Sequence, residues 1–195
     1  QAVDAILTVP ASLPNPPLNN YGNLVTDPNV AYGSTWVNAP LDPAVEFYRK
    51  GSVKNWIWGL MANQTPDIQA KMVLFWHNHF AIQFLEIPDS RACYTYTKVL
   101  YSHALGNMKD LTRAITIDPA MLFYLNGRLN TKRAPDENYG RELQELFTMG
   151  KGPNSKYTED DVKAAARVLT GWNINPLTNP FTTTFLNTNH DTTDK

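Results

Sequence analysis

Apolar positions from Thr65 to Glu86 do not form a stripe. In TPDIQAKMVLFWHNHFAIQFLE, the residues Met72, Val73, Leu74, Phe75, Trp76, Phe80, Ile82, Phe84 and Leu85 point in every direction at about 100° per residue. A helix that is apolar on all sides is surrounded by other elements, so this pattern predicts a central buried helix. Thr65 is its expected N-cap, Pro66 its first helical residue and Asp67 its first-turn acid. Pro88 should stop it. Lys71, His77, Asn78, His79 and Gln83 interrupt the apolar run, which argues for a core helix over a membrane span.

Other stretches keep a helical period. Gln1 to Thr8 predicts one short helix. Asp42-Pro43 predicts a capped start leading to Tyr48, and Gly51-Ser52 a restart through Met61, with Trp56, Ile57, Leu60 and Met61 at core spacing. Further helices are expected from about Ser90 to Ala104, from Asn107 to Ile117, and from Asp118-Pro119 to Asn126-Gly127. Asp136 should cap ENYGRELQELFTM, ended by Gly150. Thr158 should cap EDDVKAAARVLTGW, with Asp161 completing a capping box. No stretch alternates with period two and no repeat is evident. The expectation is an all-α, irregular helical domain around the central helix. A Pro-rich packed loop region spans 1–41, the helical body 42–172, and an Asn/Thr-rich tail 173–195.

The loop region follows from proline. Seven of the fourteen prolines lie at or before position 43, and each fixes φ and lacks an amide donor. Tyr21, Tyr32 and Trp36 predict that this loop packs on the body instead of hanging free.

Composition narrows the partners. Seventeen basic residues face eighteen acidic ones with no basic run, which disfavours nucleic acid and anionic membrane as partners. No apolar run reaches the ~18 residues of a membrane span. The single cysteine, Cys93, excludes an internal disulfide and reads as a small buried residue. The chain begins at Gln1 instead of methionine, as expected of a processed product or a fragment.

Five segments in fixed order carry a resemblance: KMVLFWHNHF, HALGNMKDL, DPAMLFYLNG, ENYGRELQELFTMGKG and YTEDDVKAAARVLTGW. From about Asp42 onward the chain resembles a bacterial family known as domain of unknown function 1800. The tail HDTTDK is similar to a family segment that continues further, which implies a piece of a longer domain. The resemblance implies a largely helical fold and an exported, periplasmic or envelope location, with a sulfatase-like partner encoded nearby. It implies no established reaction. The family often has histidine where this chain has Phe147, and aspartate before asparagine where this chain reads Asn126-Gly127.

Candidate chemistry centres on a few polar residues. On a helical wheel Tyr139, Leu143, Leu146 and Phe147 share one face, while Glu137, Arg141, Gln144, Glu145 and Thr148 share the other. Glu137, Arg141 and Glu145 form an i, i+4 charge ladder, in its plain reading a solvated surface network. Glu142 falls at the border of the apolar face, where a carboxylate needs a partner. As a functional residue it would be a general acid/base or metal ligand with Arg141 beside it; as a structural one, an ion-pair lock for which Arg167 is a candidate. Asn138 and His79 complete the expected structural polar network.

For metals the candidates are His77, His79, His190 and Asp191. His77 and His79 would diverge by about 200° on a helix and could share an ion only if the helix breaks there. The plain reading of each is a hydrogen-bonded core histidine. His190-Asp191 suits zinc or a harder ion but lacks a spacing motif. The residue types assign no cofactor and are compatible with a divalent metal. No P-loop, G-x-S-x-G elbow, H-E-x-x-H or dinucleotide fingerprint is present, so neither a nucleotide nor a flavin site is expected. Two function classes stand: an exported binding or scaffold domain, or a metal-assisted or acid/base hydrolase using Glu142 with histidines. Sugar stacking on Tyr32 and Trp36 is a third reading, and it requires exposed rings.

Overall fold

A computed structural model describes residues 2–7, 13–63, 67–175, 177–178 and 182–194. The protein is mostly helical but not all-α, because a small antiparallel two-stranded sheet closes the C-terminal part. The chain divides into two compact units, Gln1–Leu111 and Thr112–Lys195.

In the first unit, α1 (Ala2–Leu7) precedes a long irregular stretch, then α2 (Glu46–Asn63), α3 (Gln69–His79) and α4 (Ser90–His103). Gly51 does not restart a helix as the sequence predicted. Helix α2 runs straight through it. A mid-helix glycine costs only about 1 kcal/mol, and tertiary packing just beyond it outweighs that: Val53 is fully buried, and Trp36 Nε1 donates to Ser52 Oγ at 2.7 Å. The Pro-rich stretch packs on the unit through Tyr21, Val30 and Trp36, but Tyr32 is 72% exposed. Its anchor is a buried ion cluster. Arg49 donates through Nε and Nη2 to the two oxygens of Asp27 at 2.9 and 3.0 Å, and through Nη1 to Pro40 O at 2.8 Å. Tyr21 Oη donates to Asp27 Oδ2 at 2.8 Å.

The central helix is a correction. The predicted cap and first residue, Thr65 and Pro66, lie outside the described residues. Helix α3 ends at His79, seven residues before the predicted Glu86, and it is not enclosed. Phe75 is 54% exposed, and only Gln69, Ala70 and Val73 are buried on it. The enclosed helix is α4. Asp89 caps it by accepting from Arg91 N at 2.9 Å, and Ala92, Cys93, Tyr96 and Leu100 bury one face at helical spacing. The end of α3 has an identifiable cause. Tyr96 Oη donates to Phe80 O at 2.6 Å, satisfying a carbonyl outside the helical ladder. Beyond it the chain alternates: Ile82 and Phe84 point in, Gln83 and Leu85 out, and Ile87 is fully buried.

Helix α5 (Met108–Thr116) carries the unit boundary. In the second unit follow α6 (Pro119–Tyr124), α7 (Glu137–Glu142), α8 (Glu159–Val168), β1 (Trp172–Asn175) and β2 (Thr182–Phe185). Asp118 caps α6, and Asn126 takes the left-handed conformation (φ 59°) that ends the segment where the sequence predicted. The predicted capping box of α8 is present, with Thr158 and Asp161 bonding reciprocally. Helix α7 does not continue as an α-helix. Leu143–Thr148 is π-helical, with Met149 N donating to Gln144 O at 2.9 Å. The wider turn rotates the side chains that follow, so the predicted faces are partly exchanged: Gln144 is buried and Leu146 is 60% exposed. Gly140 lets α7 and α8 approach closely, since a Cβ there would meet Ala166 N at 3.1 Å and Val162 O at 3.3 Å. The helix expected to run through Trp172 ends at Val168, and Trp172 instead opens β1 and pairs with Phe185 of β2, so the Asn/Thr-rich tail contributes a strand. Its signal was the β-branched run before Phe185, Thr182-Thr183-Thr184.

Candidate functional site

The early end of α3 creates a concavity in the first unit. Helix α2 contributes Lys54, Ile57 and Trp58, which share a face at i, i+3 and i+4. Helix α3 contributes Leu74 and His77, again three apart. The extended stretch supplies Ile82, Gln83, Phe84 and Leu85 as the remaining wall. Lys50 Nζ donates to Leu85 O at 3.5 Å and tethers that wall to α2. The cavity measures about 390 Å³, within the range of small-molecule sites. Its mouth holds Trp58, which is 64% exposed.

His77 is the best-defined polar group there. Its Nδ1 lies 3.3 Å from Tyr96 Oη. The single hydroxyl proton of Tyr96 goes to Phe80 O, the much shorter contact, so Tyr96 Oη can only accept from the imidazole. The proton therefore resides on Nδ1, and Nε2 keeps a lone pair. Burial pushes the imidazole below its ordinary value, which keeps the ring neutral at pH 7. His79, two residues on, packs its ring on Trp76 and Phe80 at centroid distances of 5.9 and 4.7 Å.

In the second unit the predicted charge ladder exists and is larger than expected. Arg141 donates to both oxygens of Glu159, from Nη1 at 2.9 Å and Nη2 at 2.7 Å. It also reaches Glu137 Oε2 at 3.1 Å and Glu145 Oε1 at 3.4 Å, while Lys151 Nζ meets Glu145 Oε2 at 3.2 Å. The Lys151 ammonium and the Arg141 guanidinium hold Glu145 below the usual carboxylate range, and Arg141 does the same to Glu159. Asn138 belongs to a helix start instead, with its amide N donating to Asp136 Oδ1 at 2.8 Å and its Nδ2 to Leu125 O at 3.4 Å. Glu142 is half-buried and makes no hydrogen bond or ion pair among the described residues. Arg167 is not its partner. Arg167 Nε donates to Asp191 Oδ2 at 2.7 Å, and Nη2 bonds Thr193 Oγ1 and Asp194 O.

That contact folds the tail back. Thr170 Oγ1 donates to Arg167 O at 2.7 Å and accepts from Asp191 N at 2.8 Å. His190 Nδ1 donates to Thr170 O at 2.8 Å, and the ring packs on Phe185. Arg167 and two hydrogen bonds from Thr193 hold the Asp191 carboxyl well below the usual range. Among the described residues no group of three His, Cys, Asp or Glu side chains is placed to hold a metal ion.

The family model for a protein of unknown function, DUF1800, matches residues 2–195. The chain belongs to the DUF1800 family. The match reaches back through the Pro-rich region, so the family pattern includes the stretch that Arg49 anchors. No curated protein and no solved structure matches this DUF1800 chain. Two sugar-stacking candidates separate on exposure: Trp36 is fully buried and donates to Ser52, whereas Tyr32 faces solvent.

Sequence reading missed Lys54, Trp58, Gln83 and Tyr96 as neighbours of His77. One signal was available. Phe80, Ile82 and Phe84 alternate with Ala81, Gln83 and Leu85, a period of two hidden inside an apolar run.

Proposed function

We propose that this chain is a ligand-binding domain of an exported or envelope-associated protein, with the α2–α3 pocket as its binding site. One observation carries the reading. A concave apolar surface of about 390 Å³ brings together a histidine of fixed tautomer, a lysine and an exposed tryptophan, where packing alone would favour a filled core. The location follows from the family resemblance and is part of the same proposal. Binding of a neutral, environment-sensitive dye such as Nile red tests the site. The full chain should enhance and blue-shift its emission, and Trp58→Ala should remove most of the enhancement. Dye emission unchanged by the wild-type protein would end the binding reading. Fractionation of the source cells, with the protein found only in the cytoplasm, would end the location.

A further inference from the structure

The pocket combines two polar features that its apolar walls do not require. Among the described residues the Lys54 ammonium forms no salt bridge, although it shares a face of α2 with Ile57 and Trp58. His77 offers the opposite property, a neutral acceptor. Tyr96 Oη accepts the hydrogen bond from Nδ1–H, since its own proton is committed to Phe80 O. A neutral imidazole nitrogen with a lone pair accepts a hydrogen bond and gives nothing to an anion. A ligand matching both features has an anionic head for the ammonium, an apolar body, and a donor for Nε2.

We infer that the pocket takes a small amphiphilic carboxylate bearing a hydroxyl, of the class of medium-chain hydroxy fatty acids. Lys54 pairs with the carboxylate. Ile57, Leu74, Ile82 and Phe84 surround the chain, and His77 Nε2 accepts from the hydroxyl. Exposed Trp58 covers the chain at the mouth. This inference rests on the binding reading above and adds the chemistry of the ligand.

Isothermal titration calorimetry on the full chain with decanol, decanoate and 3-hydroxydecanoate tests it. Affinity should rise in that order, by about tenfold from decanol to decanoate and several-fold again for the hydroxy acid. Lys54→Gln should remove the first gap. His77→Phe should remove the second gap only, with circular dichroism confirming the fold of both variants. Equal binding of decanol and decanoate to the wild-type protein overturns the inference, as does a first gap that survives Lys54→Gln. Absence of binding by all three also overturns it. In those cases the Nile red result still decides the binding reading by itself, because that dye carries no charge. Should a variant fail to fold, the wild-type order of the three ligands decides.

Discussion

Arg49 and Arg141 each gather carboxylates, and the two clusters mean different things. Arg49 is wholly buried, with Asp27 and Glu46 buried beside it. Its guanidinium donates to Asp27, to Pro40 O and to Glu46, and Glu46 Oε2 takes Ser90 N at 2.5 Å as a second attachment. This cluster ties the Pro-rich stretch, α2 and the start of α4 together. Arg141 is half-buried at the surface and holds three glutamates at once. Water and salt screen such a network, so it orders the surface of α7 and α8 more than it stabilises them. Similar residue types thus lock one unit and decorate the other. The difference is desolvation: a buried charge deprived of its partner has no water to turn to.

The sharpest way to break this contrast is Arg49→Met. It leaves Asp27 and Glu46 buried without their cation, and urea denaturation should show a loss of about 3–5 kcal/mol. A loss below about 1 kcal/mol would mean that water reaches the cluster.

A second test compares buried carboxylates with and without a cation. Burial pushes Asp27 up, but hydrogen bonds from Arg49 and Tyr21 outweigh it and hold the group below its ordinary value. Its stabilisation is present above the ordinary carboxyl range and is lost as pH falls through its lowered value. Asp118 has no such cation. Its Oδ1 accepts from Ala120 N and Met121 N, its Oδ2 has no hydrogen-bond partner, and burial pushes it up to about 7. For a raised acid the sign reverses. Its favourable contribution is complete below the ordinary carboxyl value and is lost as pH rises through about 7. Melting curves across that window should therefore show falling stability attributable to this residue. Asp118→Asn keeps an oxygen for the cap and should flatten that part of the profile. An unchanged slope in the variant would assign the pH dependence elsewhere.

Packing, more than charge, should hold α7 on α8. Gly140→Ala places a Cβ against Ala166 N and Val162 O, backbone atoms that cannot swing aside. It should cost about 1–3 kcal/mol despite the better helix propensity of alanine. A stabilised Gly140→Ala protein would show that the two helices separate easily. The smallest effect belongs to Arg141→Ala. Its melting temperature should nearly equal that of the wild type, and any difference should vanish in high salt. A large, salt-insensitive loss would make the Arg141 cluster equivalent to that of Arg49 and erase the contrast.

Part of this was legible without coordinates. Caps are local chemistry, so Asp118, Thr158 and Asp161 marked their helix starts correctly, and Asn126-Gly127 marked an end. The ladder Glu137–Arg141–Glu145 followed from spacing alone, but its strongest partner, Glu159, belongs to another helix and was not foreseen. Arg49 and Asp27 gave no signal at all, because they lie 22 positions apart across a mostly irregular stretch. The pocket was hidden for a related reason. Residues 65–86 satisfy a helical pattern, and only the bond from Tyr96 to Phe80 O shows where that helix stops.

Sequence by itself determined the helical character, the positions of most helix starts, the packed Pro-rich region and the family. Each depends on residues close together in the chain, where propensity, capping and the fixed φ of proline act directly. Tertiary structure alone decided which helix is enclosed, where α3 ends, that α7 widens into a π turn, and which arginine is buried. These are outcomes of competition between distant groups for the same carbonyls, carboxylates and apolar surface, and a one-dimensional pattern does not contain the winner.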